Sequence, residues 1–166
     1  MSTSRNSPAD GGTVVIGLGN PLMGDDGLGL AALATLRARG VDDDVGLVDG
    51  GTWGLALLPE IESAARVLLL DAIDTGSPAG TLHVLHRTDL PRYLKTRVSP
   101  HEVDLHDVLA LAELRGTLPA ETVAIGLQPG RVAVGCELSE PVQERLDDLV
   151  DAVLQQLAAW SLPAHA

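Results

Sequence analysis

The chain has 166 residues, a length at which one domain buries roughly two-thirds of the surface its unfolded form exposes. Hydrophobic residues make up 45% of it, yet there is no Phe, one Tyr and two Trp, so the core is expected to be built from Leu, Val, Ile and Ala. The formal net charge of -12 argues against nucleic acid, which demands a basic footprint, and the single cysteine, Cys136, excludes an internal disulfide or a cysteine-ligated iron-sulfur cluster held by this chain alone.

The opening "MSTSRNSPADGG" has no apolar h-region, and no run of the chain is long and apolar enough to span a bilayer. Residues 1–12 are therefore expected to be a flexible leader, 13–160 a single cytoplasmic domain without membrane contact, and 161–166 a short tail. Val14 to Leu18 predict a buried strand. A helix is expected from about Asp25 to Arg39, where Leu28, Ala32 and Leu36 recur on one face. "VGLVD", residues 45–49, predicts a second strand and Trp53 to about Ala64 a second helix. "RVLLLDA", residues 66–72, is the strongest strand signal in the chain.

"IDTGSPAG" has the Gly, Ser and Pro content of a loop, and the alternation in "TLHVLHR", residues 81–87, suits an edge or antiparallel strand. "SPHE", residues 99–102, has the form of a capping box, with Ser99 as N-cap, Pro100 at the first helical position and Glu102 three residues on. The helix it opens carries the stripe Leu105, Val108, Leu109 and Ala112. "TVAIGL", residues 122–127, predicts the last strand. From Ser139 the longest helix turns Val142, Leu146, Leu149, Val150, Val153, Leu154 and Leu157 to one side. This alternation of strands and helices predicts one three-layer α/β domain, with a mostly parallel central sheet of about five strands and helices on both faces.

If the first three strands are parallel, their carboxyl ends share one edge, where α/β proteins bind ligands. Asp26 follows the first strand, Asp49 ends the second and Asp71 ends the third, so three carboxylates are expected to converge there. His101 lies four residues before Leu105, which leans its imidazole inward from the first helical turn. The helix N-terminus helps keep that ring neutral, as a metal ligand must be. Asp26, Asp71 and His101 thus form a candidate O,O,N set for a divalent ion such as nickel or zinc, with positions left open for substrate or water.

The glycines at 17 and 19 resemble part of a phosphate loop, but Asp25 and Asp26 stand where an anion would bind. A like unit charge at ~4 Å is opposed by about 4 kcal/mol at an effective dielectric near 20. No Lys or Arg lies between Arg5 and Arg37 to offset it. The expectation is that Gly17 and Gly19 let the chain approach a ligand closely and that the acids select a cation. The third glycine of a dinucleotide fingerprint would fall at Leu22.

Each of these residues also has a plainer reading. Asp25 or Asp26 can cap the first helix, and Asp49 can shape the Gly50-Gly51 turn. Asp71 closes so apolar a strand that a structural role would need a dedicated buried partner. His83, His86 and His106 are expected to be structural or surface residues, Cys136 a small apolar residue near a loop, and Asp42 to Asp44 a solvated turn.

The segments "GLGNPLMGDDGLG", "VDGGTWG", "LLLDAID", "VSPHEVDLHDVLALAEL" and "IGLQPGRVAVGCELSEPV" resemble, in the same order, the hydrogenase maturation endopeptidases, over about Thr13 to Ala159. The resemblance implies a phosphorylase/hydrolase-like α/β domain. It implies an enzyme that clips a C-terminal peptide from the precursor of a nickel-iron hydrogenase large subunit once nickel is installed. It places the family's metal-contacting groups at Asp26, Asp71 and His101, and a further functional acid, a candidate catalytic residue that orients substrate or water, at Asp49. Nickel is expected to arrive on the substrate, with zinc or cadmium able to replace it in vitro, and the protein to act as a monomer. A non-catalytic nickel-sensing chaperone is the alternative. "GLGNP" also opens the peptidyl-tRNA hydrolases, but their Tyr and Thr-Arg-His-Asn continuation is replaced here by "LMGDDGLG".

Overall fold

The computed structural model describes residues 11–41, 43–51, 54–90 and 105–162. Five strands, β1 (Thr13–Leu18), β2 (Val45–Gly51), β3 (Arg66–Ala72), β4 (Leu82–His86) and β5 (Glu121–Leu127), form one sheet in the order β2-β1-β3-β5-β4. The first three and β5 run parallel, and β4 pairs antiparallel with β5 at one edge. Burial follows position in the sheet. Every residue of β3 after Arg66 is buried, as a strand covered on both faces requires, whereas no residue of edge strand β4 is.

The helices are α1 (Leu28–Arg39), α2 (Leu58–Ser63), α3 (Leu105–Leu114) and α4 (Glu140–Ser161). Leu28, Ala32, Leu33 and Leu36 of α1 join Val142, Leu149, Val150, Val153 and Leu157 of α4 against Val15, Leu68, Leu70, Val123 and Ile125. On the opposite face Ile61 of α2 and Val108, Leu109 and Ala112 of α3 pack on Val14, Ile16, Val67, Leu69 and Ala124. Each large aliphatic side chain so buried contributes about 1.5–3 kcal/mol of transfer free energy. The expected three layers and the expected faces of α3 and α4 are thus present.

Two predicted helices begin differently. The first opens as a 3-10 turn over Gly24–Gly27 before α1, and the second is a 3-10 turn over Gly54–Leu57 followed by a short α2, with Trp53 outside the described residues. Pro59 lies in the first turn of α2, where a missing N–H costs nothing. β2 runs two residues past its predicted end, and the register slips there: Gly17 pairs with Asp49 but Leu18 with Gly51, leaving Gly50 as a bulge.

At Gly29 α1 approaches the sheet more closely than a side chain would permit. A Cβ there would lie 2.2 Å from the Leu70 carbonyl oxygen and 2.4 Å from that of Leu18. The glycine therefore seats the start of α1 directly on β1 and β3, which fixes the height of the turn that precedes it.

Candidate functional site

The carboxyl ends of β2, β1 and β3 share one edge. Asp49, Gly17 and Leu70 lie on one rung, and Asp71 follows on the next beside Gly126 of β5. Asp26 stands in the 3-10 turn that follows β1, the strand between the other two. The three acids therefore come from neighbouring strand ends, but in different settings. Asp71 is buried and its Oδ1 accepts the Ala72 N–H at 2.8 Å. Asp26 is half-buried, with Oδ2 accepting the Asn20 N–H at 2.9 Å. Asp49 is exposed.

Strand alternation separates them further. Asp71 shares its parity with Val67 and Leu69, which pack on the α2 and α3 side. Asp49 shares its parity with Val45 and Leu47, which pack on the α1 side. Asp71 and the helix that His101 precedes thus occupy the same face of the sheet. His101 itself, with Ser99, Pro100 and Glu102, lies outside the described residues, as does the environment of the His106 side chain. Among the described residues no three His, Cys, Asp or Glu form a metal-holding group. Asp26 and Asp71 are two of the three ligands expected, and the third lies outside that range.

Asp25 differs from its sequence reading as a helix cap. Neither the 3-10 turn nor α1 has a side-chain cap bond. The Asp25 carboxylate is instead fully buried and reaches across to the connection between β5 and α4. Its Oδ2 accepts the N–H groups of Gly130 and Arg131, both at 2.7 Å, and the Ser139 hydroxyl at 2.6 Å. Its Oδ1 accepts the Ser139 N–H at 2.7 Å. Burial alone would push this carboxyl up. The bonds from the Ser139 hydroxyl, Arg131, the Ser139 N–H and Gly130 together prevail and hold it below its ordinary value.

The glycines at 17 and 19 also have a packing role within the protein itself. A Cβ on Gly19, whose φ is 109°, would lie 1.8 Å from the Asp26 carbonyl oxygen, and one on Gly17 2.7 Å from that of Gly29. The protein's own backbone approaches both glycines closely. The chain folds back tightly enough for the acid turn to rest on the strand end.

Gln128 anchors the loop after β3. Its Oε1 accepts from the N–H groups of Thr75 (2.8 Å) and Ser77 (3.2 Å), while its Nε2 donates to Asp74 at 2.8 Å. His83 is half-buried, shares a hydrogen bond of 3.2 Å with the Thr75 hydroxyl, and has its pKa lowered by burial. His86 is exposed, as are Asp43 and Asp44, whereas Asp42 lies outside the described residues. Cys136 is exposed rather than a small apolar packing residue. Gly135 is drawn against the first loop by bonds to Leu22 and Gly24, which leaves the next side chain in solvent.

Sequence reasoning missed the Asp25–Ser139 contact because the two residues are 114 positions apart. The local sequence shows a second acid beside Asp26, which reads there as a helix cap.

The chain is similar to known proteins in both sequence and fold. The family model described as HycI, hydrogenase maturation protease, matches residues 32–156. Hydrogenase expression/formation protein HoxM of Cupriavidus necator is 37% identical over 150 residues, spanning 89% of this chain and 74% of that protein. The hydrogenase maturating endopeptidase HybD from E. coli superposes with a TM-score of 0.84 at 27% identity, over 90% of this chain and 93% of that one. The hydrogenase 2 maturation peptidase from a Thaumarchaeota archaeon is 33% identical with a TM-score of 0.69, over 88% and 97%.

Proposed function

The chain belongs to the hydrogenase maturation protease family, and from that premise we propose that it removes a C-terminal peptide from the nickel-loaded precursor of a nickel-iron hydrogenase large subunit. The observation that carries the reading is the pair Asp26 and Asp71, delivered by adjacent parallel strands to one edge. Carboxylates there favour a cation, and two of them with a neutral imidazole balance a divalent charge. Nickel enters as cargo of the substrate. Asp26, Asp71 and His101 take up its open positions, so that only the loaded precursor is held for cleavage. Zinc or cadmium would satisfy the same donors.

Hydrolysis adds water across the scissile amide: its oxygen joins the carbonyl carbon, the C–N bond breaks, and the departing amine takes a proton. A cation held nearby lowers the cost of the charge that develops on the carbonyl oxygen. Asp49, exposed on the α1 side of the same edge, orients substrate or water rather than gripping the ion. The protein works as a cytoplasmic monomer in this reading. No helix among the described residues is long and apolar enough to cross a membrane.

The test is a cell-free assay in which the purified chain is added to nickel-loaded and nickel-free precursor and product mass is measured. The loaded form is cut, and His101→Ala abolishes cutting. Equal cleavage of both forms would refute the nickel checkpoint, and cleavage of neither would favour the chaperone alternative.

A further inference from the structure

The connection between β5 and α4 touches both the turn that carries Asp26 and the loop that follows Asp71 and β3. Toward β3, the Gln128 side chain holds the loop at Thr75 and Ser77, the Gln128 N–H donates to the Thr81 carbonyl oxygen, and its carbonyl oxygen accepts the Gly80 N–H. Toward β1, the Asp25 N–H donates to the Arg131 carbonyl oxygen at 2.9 Å, and the Gly24 N–H to that of Gly135 at 2.8 Å. Gly135 returns a bond to the Leu22 carbonyl oxygen at 2.9 Å. The buried Asp25 carboxylate closes this seam with four further bonds.

Burying a carboxylate is costly unless donors replace its water. A seam already stitched by backbone bonds has little need of one for cohesion alone. The side chain next in sequence is Asp26, whose own carboxylate accepts, among the described residues, one bond, from the Asn20 N–H within the same loop. Nothing in that local bond fixes Asp26 relative to β3. The seating of α1 at Gly29 sets the height of the turn, and the Asp25 clamp adds the lateral tie, joining the turn to the segment that also holds the β3 loop.

We infer that Asp25 is a positioning residue: its four bonds to Gly130, Arg131 and Ser139 set the place of Asp26 relative to Asp71 at the carboxyl edge of the sheet. The inference rests on the proposed role of Asp26 in gripping substrate-borne nickel. In Asp25→Asn one amide nitrogen must face a donor whichever way the amide turns. Ser139→Ala removes one bond of the four, and Ser139→Thr retains the hydroxyl.

Two measurements on the full chain test it, with Leu149→Ala, ten residues along α4 from Ser139, as a destabilised control. The first is the amide NMR resonance of Asn20, whose N–H bonds to the Asp26 carboxylate and so reports where it lies. It shifts in Asp25→Asn and Ser139→Ala but not in Leu149→Ala or Ser139→Thr. The second is kcat/KM for nickel-loaded precursor, per folded molecule. Misplacing a gripping group by ~1 Å lowers it by about 10- to 100-fold in Asp25→Asn. Ser139→Ala shows a smaller loss in the same direction, which Ser139→Thr rescues.

An unmoved Asn20 resonance in both Asp25→Asn and Ser139→Ala overturns the positioning role whatever the substrate proves to be. A shifted resonance with undiminished kcat/KM overturns it as well. If Asp26→Asn itself processes precursor at the normal rate, the nickel-gripping reading fails, and the inference drawn on it fails with it. Should Asp25→Asn not fold, the Ser139 pair decides alone.

Discussion

Replacing Gly29 by alanine sets two physical effects against each other. Helix propensity favours alanine by up to about 1 kcal/mol in α1. Packing opposes it, since the added Cβ would lie 2.2 Å from the Leu70 carbonyl oxygen, 2.4 Å from that of Leu18 and 2.7 Å from the Leu18 nitrogen. Ordinary contact begins at 3.4 Å, so α1 must retreat by about 1.2 Å, the difference of 3.4 and 2.2. None of the three atoms can yield easily, because all belong to the backbone of two central strands.

That retreat opens a gap under Leu28, Ala32, Leu33 and Leu36, which are at most 1% exposed. A gap of ~1 Å forfeits up to about half of the dispersion attraction at each contact it opens. Overpacking of this kind costs about 1–3 kcal/mol, and the net effect of Gly29→Ala is destabilisation within that range. Urea unfolding followed by circular dichroism gives the answer through a lower midpoint at unchanged slope. A midpoint equal to or above that of the parent chain would refute the claim that Gly29 is there to seat α1 on the sheet.

Asp49→Asn should lower kcat/KM for nickel-loaded precursor while leaving the unfolding midpoint unchanged, since the side chain is exposed. Unaltered processing would remove Asp49 from the proposed mechanism. The depressed pKa of Asp25 makes a separate prediction for acid stability. Its contribution is fully present above the unfolded carboxyl value, about 3.9, and is lost as pH falls through the lower folded value. Stability measured below about pH 4 should therefore fall more steeply in the parent chain than in Asp25→Asn, and parallel curves would contradict the assignment. Gln128→Ala removes the acceptor of Thr75 and Ser77 and the donor to Asp74. Leaving the Thr75 and Ser77 N–H groups without their acceptor costs about 1–3 kcal/mol where water cannot replace it. Limited proteolysis should then open the chain near Gly76 faster than in the parent, and an unchanged cleavage rate would show that the loop needs no such anchor.

Much of the fold was legible because burial leaves a period along each element. β3 carries the apolar run Val67 to Leu70, and like β1 and β5 it is buried at every residue after its first. The spacing of Val142, Leu149, Val150, Val153 and Leu157 named the face of α4 that meets the sheet. Parallel strands then follow from the helices between them, and Asp26, Asp49 and Asp71 reach one edge as a matter of topology.

The details of that edge were not written locally. The Gly50 bulge lies between two residues of the same strand, but alternation sets Asp49 and Asp71 on opposite faces, which only the pairing reveals. The backbone contacts of Gly17, Gly19 and Gly29 are likewise set by distant segments and leave no mark in the local sequence.

By itself, then, the order of residues determined the elements, their buried faces and the family, because each depends on neighbours a few positions apart or on motifs read in succession. Tertiary structure alone decided what Asp25 does. Its donors at Gly130, Arg131 and Ser139 arrive from the far end of β5, and a hydrogen bond depends on where two loops meet in space, which no periodicity along either one records.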